Sequence, residues 1–230
     1  MVNQKDLHNR IYAGEPVITH RKMNYVSGKF TADMIRLVDV SGTERVLDIG
    51  CGDGIFSTKY SKNVIAMDIA KEAAAHTEAP FSTGNALSLP FKSSSFDKVY
   101  CQEVVEHFPD QSYVKTAIRE IFRVLKPGGS AIISTPNENS LVGMIRSLYK
   151  GYKEPPGSIH TSMVSLHALR KICKKEGFVI EKTFAYLLPL PFPKYDYALP
   201  APAMKALYHM GRLFPKIAHG MILRLQKPEN

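Results

Sequence analysis

The sequence predicts an α/β protein built on a doubly wound, mostly parallel sheet of seven strands with an antiparallel last strand. Three observations point there. Short apolar runs alternate with helical segments from Arg45 onward, the first run ends in a glycine-rich turn, and two late strands are joined by a segment with little crossover character. Alternating strands and helices imply parallel strands covered on both faces. The chain of 230 residues suits one domain with a sizeable core.

In chain order, residues 1–44 read as a cap. Residues 1–29 lack periodicity, and Tyr25 is expected to fold over the site as a lid. A helix fits Thr31 to about Val40, ended by Ser41 and Gly42. Residues 45–137 form the core. Arg45–Gly50 is an apolar run ending in glycine, a buried strand. A helix at 54–62 precedes a strand at 63–69, then a helix start at 71–76 and a weaker strand within 80–86. A fourth strand spans 96–102. Tyr113, Val114, Ala117, Ile118, Ile121, Phe122 and Leu125 recur at helical spacing over 111–125, and Lys126-Pro127-Gly128-Gly129 stops that helix. A fifth strand covers 130–135.

Residues 138–230 supply the acceptor side. A helix at about 163–175 ends before Gly177, a strand runs 178–188, and five prolines fall between 189 and 202. A short helix fits 203–214, inside a basic amphipathic insertion at about 189–217. The strand 218–226 closes the chain as half of an antiparallel pair.

Hydrophobic residues make up 44% and charged residues 22%, as in ordinary globular chains. No apolar run approaches the roughly 18–20 residues of a membrane span. The start lacks the basic-then-apolar order of a signal peptide. Cys51, Cys101 and Cys173 are scattered and show neither metal spacing nor a disulfide framework, so a reducing cytoplasm is expected. The net charge is +9, and residues 136–230, with 14 Lys/Arg against 6 Asp/Glu, carry nearly all of it. Attraction for an anionic partner therefore resides in the C-terminal part.

The strongest local signal is VLDIGCGDG, residues 46–54, which follows a strand and opens a helix. Gly50, Gly52 and Gly54 remove side chains where backbone passes close to a ligand. Asp68 ends the next strand, 18 positions after Gly50, near the spacing at which a carboxylate meets ribose hydroxyls. A dinucleotide fingerprint would place a small residue at position 55, which is Ile55. Asp53 at the helix start would also repel a pyrophosphate. S-adenosylmethionine has no phosphate and carries an ammonium and a sulfonium, which Asp48 suits.

VLDIGCGDG resembles the first motif of class I S-adenosylmethionine-dependent methyltransferases. Four further stretches are similar in order: Met67-Asp68-Ile69, GNALSLPF (84–91), SSFDKVYCQEVVEHF (94–108) and EIFRVLKPGGSAIISTPN (120–137). The resemblance implies a Rossmann-like methyltransferase fold with S-adenosylmethionine as cofactor. It puts Gly50, Gly52 and Gly54 near the methionine and ribose parts, Asp68 on the ribose hydroxyls and Ile69 on adenine. Asn85, where the family has Asp, would face the adenine amine beside Ala86. Gln102 would lie near the methionine part.

Methyl transfer to a hydroxyl needs an aligned nucleophile and a group to take its proton. Glu103, Glu106 and His107 lie after the fourth strand, at the end where such sheets bind ligands. The string EVVEH with a later His160 is similar to two O-methyltransferase families, one acting on catechol intermediates of ubiquinone synthesis and one on the terminal 2′-hydroxyl of small RNAs. That likeness implies a divalent ion, Mg²⁺ before Mn²⁺ or Zn²⁺, on Glu103, Glu106, His107 and His160. The expected acceptor is a small molecule or lipid-like compound. An RNA or N-nucleophile is the alternative, and a catalytically silent binding subunit the rival. Lys205, His209, Arg212 and Lys216 recur at spacings of four, three and four, a basic stripe that could cover an apolar acceptor or touch an anionic membrane.

Overall fold

The structure, a computed structural model, describes residues 42–52, 54, 57, 63–141, 144, 163–187 and 201–229. The expected helix at Thr31–Val40, most of that at 54–62, Tyr25, His160 and the stretch 189–200 lie outside these residues.

Seven strands form one sheet: β1 (Val46–Ile49), β2 (Val64–Asp68), β3 (Phe81–Thr83), β4 (Phe96–Gln102), β5 (Leu125–Pro136), β6 (Val179–Tyr186) and β7 (Gly220–Gln226). Their order is β3-β2-β1-β4-β5-β7-β6. β1 pairs in parallel with β2 and β4, β2 with β3, and β4 with β5. The last strand, β7, runs antiparallel between β5 and β6. All four residues of β1 are buried, which explains its unbroken apolar run in the centre of a sheet covered on both faces. The edge strand β6 instead exposes Glu181 and Lys182, charges that discourage pairing with another chain.

The helix α1 (Gln111–Val124) starts where the Asp110 carboxylate accepts from Ser112 N at 2.7 Å. Val114, Ala117, Ile118, Ile121 and Val124 form its buried face. The helix α2 (Leu166–Lys175) begins later than position 163 because Ser165 caps it, its hydroxyl accepting from Ala168 N at 3.2 Å, while Val164 bridges Asn137. The helix α3 (Ala201–Leu213) leans on β6: Tyr208 stacks on Tyr186 at 5.7 Å. Gly211 lets the two backbones meet, since a Cβ there would fall 2.5 Å from Leu187 N.

Two sequence expectations are adjusted. Lys71–His76 is a 3₁₀ turn, not an α-helix, and Ala70 at its start offers no capping side chain. Lys126–Gly129 does end α1, but it also belongs to β5, whose register with β4 slips between Phe96 and Lys98.

The chain end stabilises α1. Lys227 Nζ donates to Phe122 O and Leu125 O, both at 2.8 Å, and lies 4.6 Å from the Phe122 ring centre. It satisfies carbonyls a helix terminus leaves open, with the favourable charge. Lys227→Met is expected to cost about 1–2 kcal/mol in urea denaturation; an unchanged midpoint would contradict this role.

Candidate active site

The sheet reverses direction of winding between β1 and β4, and ligands of such sheets bind at the carboxyl ends of the strands there. The glycine turn after β1 occupies this place. Gly50 N and Cys51 N donate to Met67 O at 2.8 and 3.1 Å, tying the turn to the end of β2. Gly50 (φ 69°) and Gly54 (φ 68°) lie in the left-handed region. A Cβ on Gly50 would sit 2.4 Å from Val104 Cγ2, and one on Gly54 would sit 2.8 Å from His76 O. These glycines are thus required by the close approach of neighbouring chain as well as by their conformation.

Asp68 is buried and joins the two strand ends. Its Oδ2 accepts from Gly52 N at 3.1 Å and its Oδ1 from Ala70 N at 2.9 Å. Asp48 is buried behind it, and its Oδ2 accepts from Ser57 Oγ at 2.6 Å. Burial raises the Asp48 carboxyl from 3.8 to about 6; the Ser57 bond opposes the rise and the Asp68 charge adds to it. Asp48 therefore holds its proton more tightly folded than unfolded. Its contribution to stability is full below about pH 4 and falls as pH rises to about 6, by about 3 kcal/mol. Asp48→Asn is expected to remove that fall, so the variant gains relative to wild type between pH 4 and 7 in urea denaturation. Parallel pH dependences would contradict it.

The second cluster follows β4. Glu103 takes a left-handed backbone (φ 50°), uncommon for a residue with a side chain, and its N–H donates to Ser134 O at 3.0 Å. Its Oε1 accepts from Ser134 Oγ at 3.1 Å. Val105–His107 then form a 3₁₀ turn that turns Glu106 into the interior. Glu106 Oε2 accepts from Thr135 Oγ1 at 3.0 Å. Burial first, and the charge of Glu103 second, push the Glu106 carboxyl well above the carboxylate range, and it donates toward Glu103. Tyr186 donates to the same carboxylate, and burial keeps its phenol protonated.

Of the residues singled out in the sequence, Asp48, Gly50, Gly52, Gly54 and Asp68 gather at the end of β1, with Ile69 half-buried beside Asp68. Ala86 is buried. Asn85 accepts from Leu87 N through Oδ1 at 2.9 Å, so its amide shapes the 85–88 turn. Gln102 ends β4 half-buried, beside Glu103. Residues the sequence reading passed over are Ser57, Ser134, Thr135 and Tyr186. Glu120 and Arg123, quoted within a motif, form a clamp. Glu120 Oε2 accepts from Leu89 N at 2.8 Å, and Arg123 donates to Leu89 O at 3.0 Å and Phe91 O at 2.8 Å. That clamp fixes the Leu89–Phe91 segment after Asn85.

The expected metal ligands are not brought together among the described residues. Among the described residues no group of three or more His, Cys, Asp and Glu side chains converges as a metal ion needs, so His107 does not complete a set with Glu103 and Glu106. Glu106 is fully buried, and the burial that raises its carboxyl disfavours the anion a hard cation needs. His160, the fourth expected ligand, lies outside the described residues. The described donors thus do not fit Mg²⁺.

The family model described as a methyltransferase domain matches residues 47–133, from β1 to the middle of β5. A Mycolicibacterium smegmatis protein named probable S-adenosylmethionine-dependent methyltransferase is 31% identical over 146 residues, 60% of this chain and 53% of its own. The ubiquinone biosynthesis O-methyltransferase of Xanthomonas oryzae pv. oryzae is 34% identical over 147 residues, 58% of this chain and 53% of that one. An uncharacterized protein of Methanocaldococcus jannaschii is 30% identical over 185 residues, 69% of this chain and 71% of its own. The chain thus spans about half the length of the two named relatives. Among solved structures, an S-adenosylmethionine-dependent methyltransferase of Thermotoga maritima shares the fold with a TM-score of 0.65 at 18% identity, over 98% of this chain and 100% of that one.

The chain is a member of the class I S-adenosylmethionine-dependent methyltransferases, with their Rossmann-like fold. The site fits that cofactor on its own chemistry. Gly50 and Gly54 leave a turn without side chains, and Asp48 and Asp68 are carboxyls beside it. Asp68, Gly52 and Asp48 are the residues that would hold it.

Proposed function

We propose that this chain transfers the methyl group of S-adenosylmethionine to an oxygen of a small-molecule or lipid-like acceptor. The observation that carries the reading is the Glu103–Glu106 carboxyl pair, held by Ser134 and Thr135 directly after β4, where Val104 between them packs on Gly50 of the glycine turn. The bound cofactor supplies an electrophilic methyl group. The protein's part is to hold the acceptor hydroxyl in line and receive its proton. Glu103, the less buried carboxyl of the pair, takes that proton. Ser134, Tyr186 and Glu106 point donors at Glu103 and fix its orientation. Burial raises the Glu106 carboxyl, so it competes less as an anion. No step is assigned to a metal, because the described donors do not fit one.

The likeness to a ubiquinone-pathway O-methyltransferase supports an oxygen acceptor, and the loss of a proton from a phenol or catechol is the step such a pair assists. The test is an acceptor screen with radiolabelled S-adenosylmethionine against catechols, phenols, amines and RNA. Label appearing in a phenolic ether is the expected result. Label appearing only in amines or RNA overturns the oxygen reading.

A further inference from the structure

The corner formed by α3 and the turn before β7 is unlike the rest of the surface. Among the described residues six large hydrophobic side chains are exposed, and four of them gather here: Met144 (50%), Met210 (38%), Leu213 (74%) and Phe214 (48%). Leu141 N donates to Ile217 O at 3.0 Å, which brings the turn bearing Met144 against the segment after α3. The inward side of α3 is already used: Tyr208 stacks on Tyr186, and Gly211 lies on the β6 backbone. Pro202, Ala206, Met210 and Leu213 recur at helical spacing and are all exposed, on the side away from Tyr208 and Gly211.

Charge settles what suits this face. Residues 201–228 contain Lys205, Arg212, Lys216, Arg224 and Lys227 and no Asp or Glu. Lys205, Arg212 and Lys216 are exposed and border the apolar tip. Arg212 lies 5.8 Å from the Phe184 ring centre, which keeps the guanidinium at the rim. Exposed apolar residues flanked along the chain by exposed cations, with no acidic residue between 201 and 228, match a bilayer interface, where side chains enter the acyl boundary and cations meet anionic headgroups. Leu213, the most exposed of the four, is free to enter an interface without rearranging the fold. No described helix is long and apolar enough to cross a membrane, so contact through this face would be peripheral.

We propose that the Met210–Phe214 corner docks the protein on anionic membrane surfaces. The reading is independent of the acceptor and the methyl-transfer chemistry. The test is co-flotation of the full chain with vesicles of phosphatidylserine and phosphatidylcholine, and with phosphatidylcholine alone. The expected result is binding to the anionic vesicles that weakens with added salt, and little to the neutral ones. Leu213→Glu with Phe214→Glu should reduce the bound fraction at least about tenfold. S-adenosylmethionine affinity, measured on the same preparation, should stay unchanged because both positions are exposed and lie outside the cofactor site. No binding to either vesicle, equal binding to both, or a double variant that binds as wild type overturns the proposal. Self-association abolished by the double variant, without vesicle binding, assigns the face to a second copy and overturns it as well.

Discussion

Glu103→Gln is expected to lower kcat by about 10²–10⁴, the size of a lost proton acceptor in the transition state, while S-adenosylmethionine affinity stays within about twofold. The amide keeps the length and volume of the side chain and can still accept from Ser134 Oγ, but it cannot take up the acceptor's proton. The left-handed backbone at position 103 is no worse for Gln than for Glu, so the fold should survive. Steady-state kinetics on the acceptor from the screen, with cofactor binding measured by calorimetry, separates the two quantities. A variant with near wild-type kcat contradicts the assignment of Glu103. A variant that loses cofactor affinity and turnover together shows instead a structural role.

Asp68→Ala is expected to weaken S-adenosylmethionine binding by about 1.5–3 kcal/mol, roughly 10–150-fold, as a charge-assisted hydrogen-bond acceptor is lost. Asp68 also accepts from Gly52 N and Ala70 N, so the variant loosens the turn that forms the cofactor's floor. Asp68→Asn keeps one carbonyl acceptor and should lose less. Thermal denaturation of both variants checks that they are folded. Unchanged affinity in a folded Asp68→Ala protein removes Asp68 from the cofactor site.

How much of this was legible depends on how far along the chain each relation reaches. The glycine turn and Asp68 sit within one strand–helix–strand unit, so spacing alone exposes them. The seven strands were readable too, because a central strand such as β1 is an unbroken apolar run while α1 shows its buried face at intervals of three and four. Glu103 and Glu106 were visible as a cluster, yet not as a pair whose inner carboxyl burial pushes up. That state arises from burial against Ser134 and Thr135, about thirty residues on, and from the left-handed turn at Glu103. Tyr186 gave no local sign. It reaches the pair because β7 inserts between β5 and β6, and because Gly220 leaves room: a Cβ there would fall 2.1 Å from the Tyr186 ring. The metal expectation rested on residue types in a string. Those types suit a cation, but the fold turns Glu106 inward, and His160 lies outside the described residues. Glu120 and Arg123 carried a recognisable pattern without a readable purpose, since their targets, Leu89 and Phe91, lie in another segment.

The central claim is that the turn after β1, with Asp48, Gly52 and Asp68, holds S-adenosylmethionine. Isothermal titration of the wild-type chain with S-adenosylmethionine, its demethylated product and NAD tests it most directly. The account predicts saturable one-to-one binding of the first two, abolished or strongly weakened by Asp68→Ala, and no measurable heat with NAD. Tight NAD binding with none for S-adenosylmethionine would contradict it.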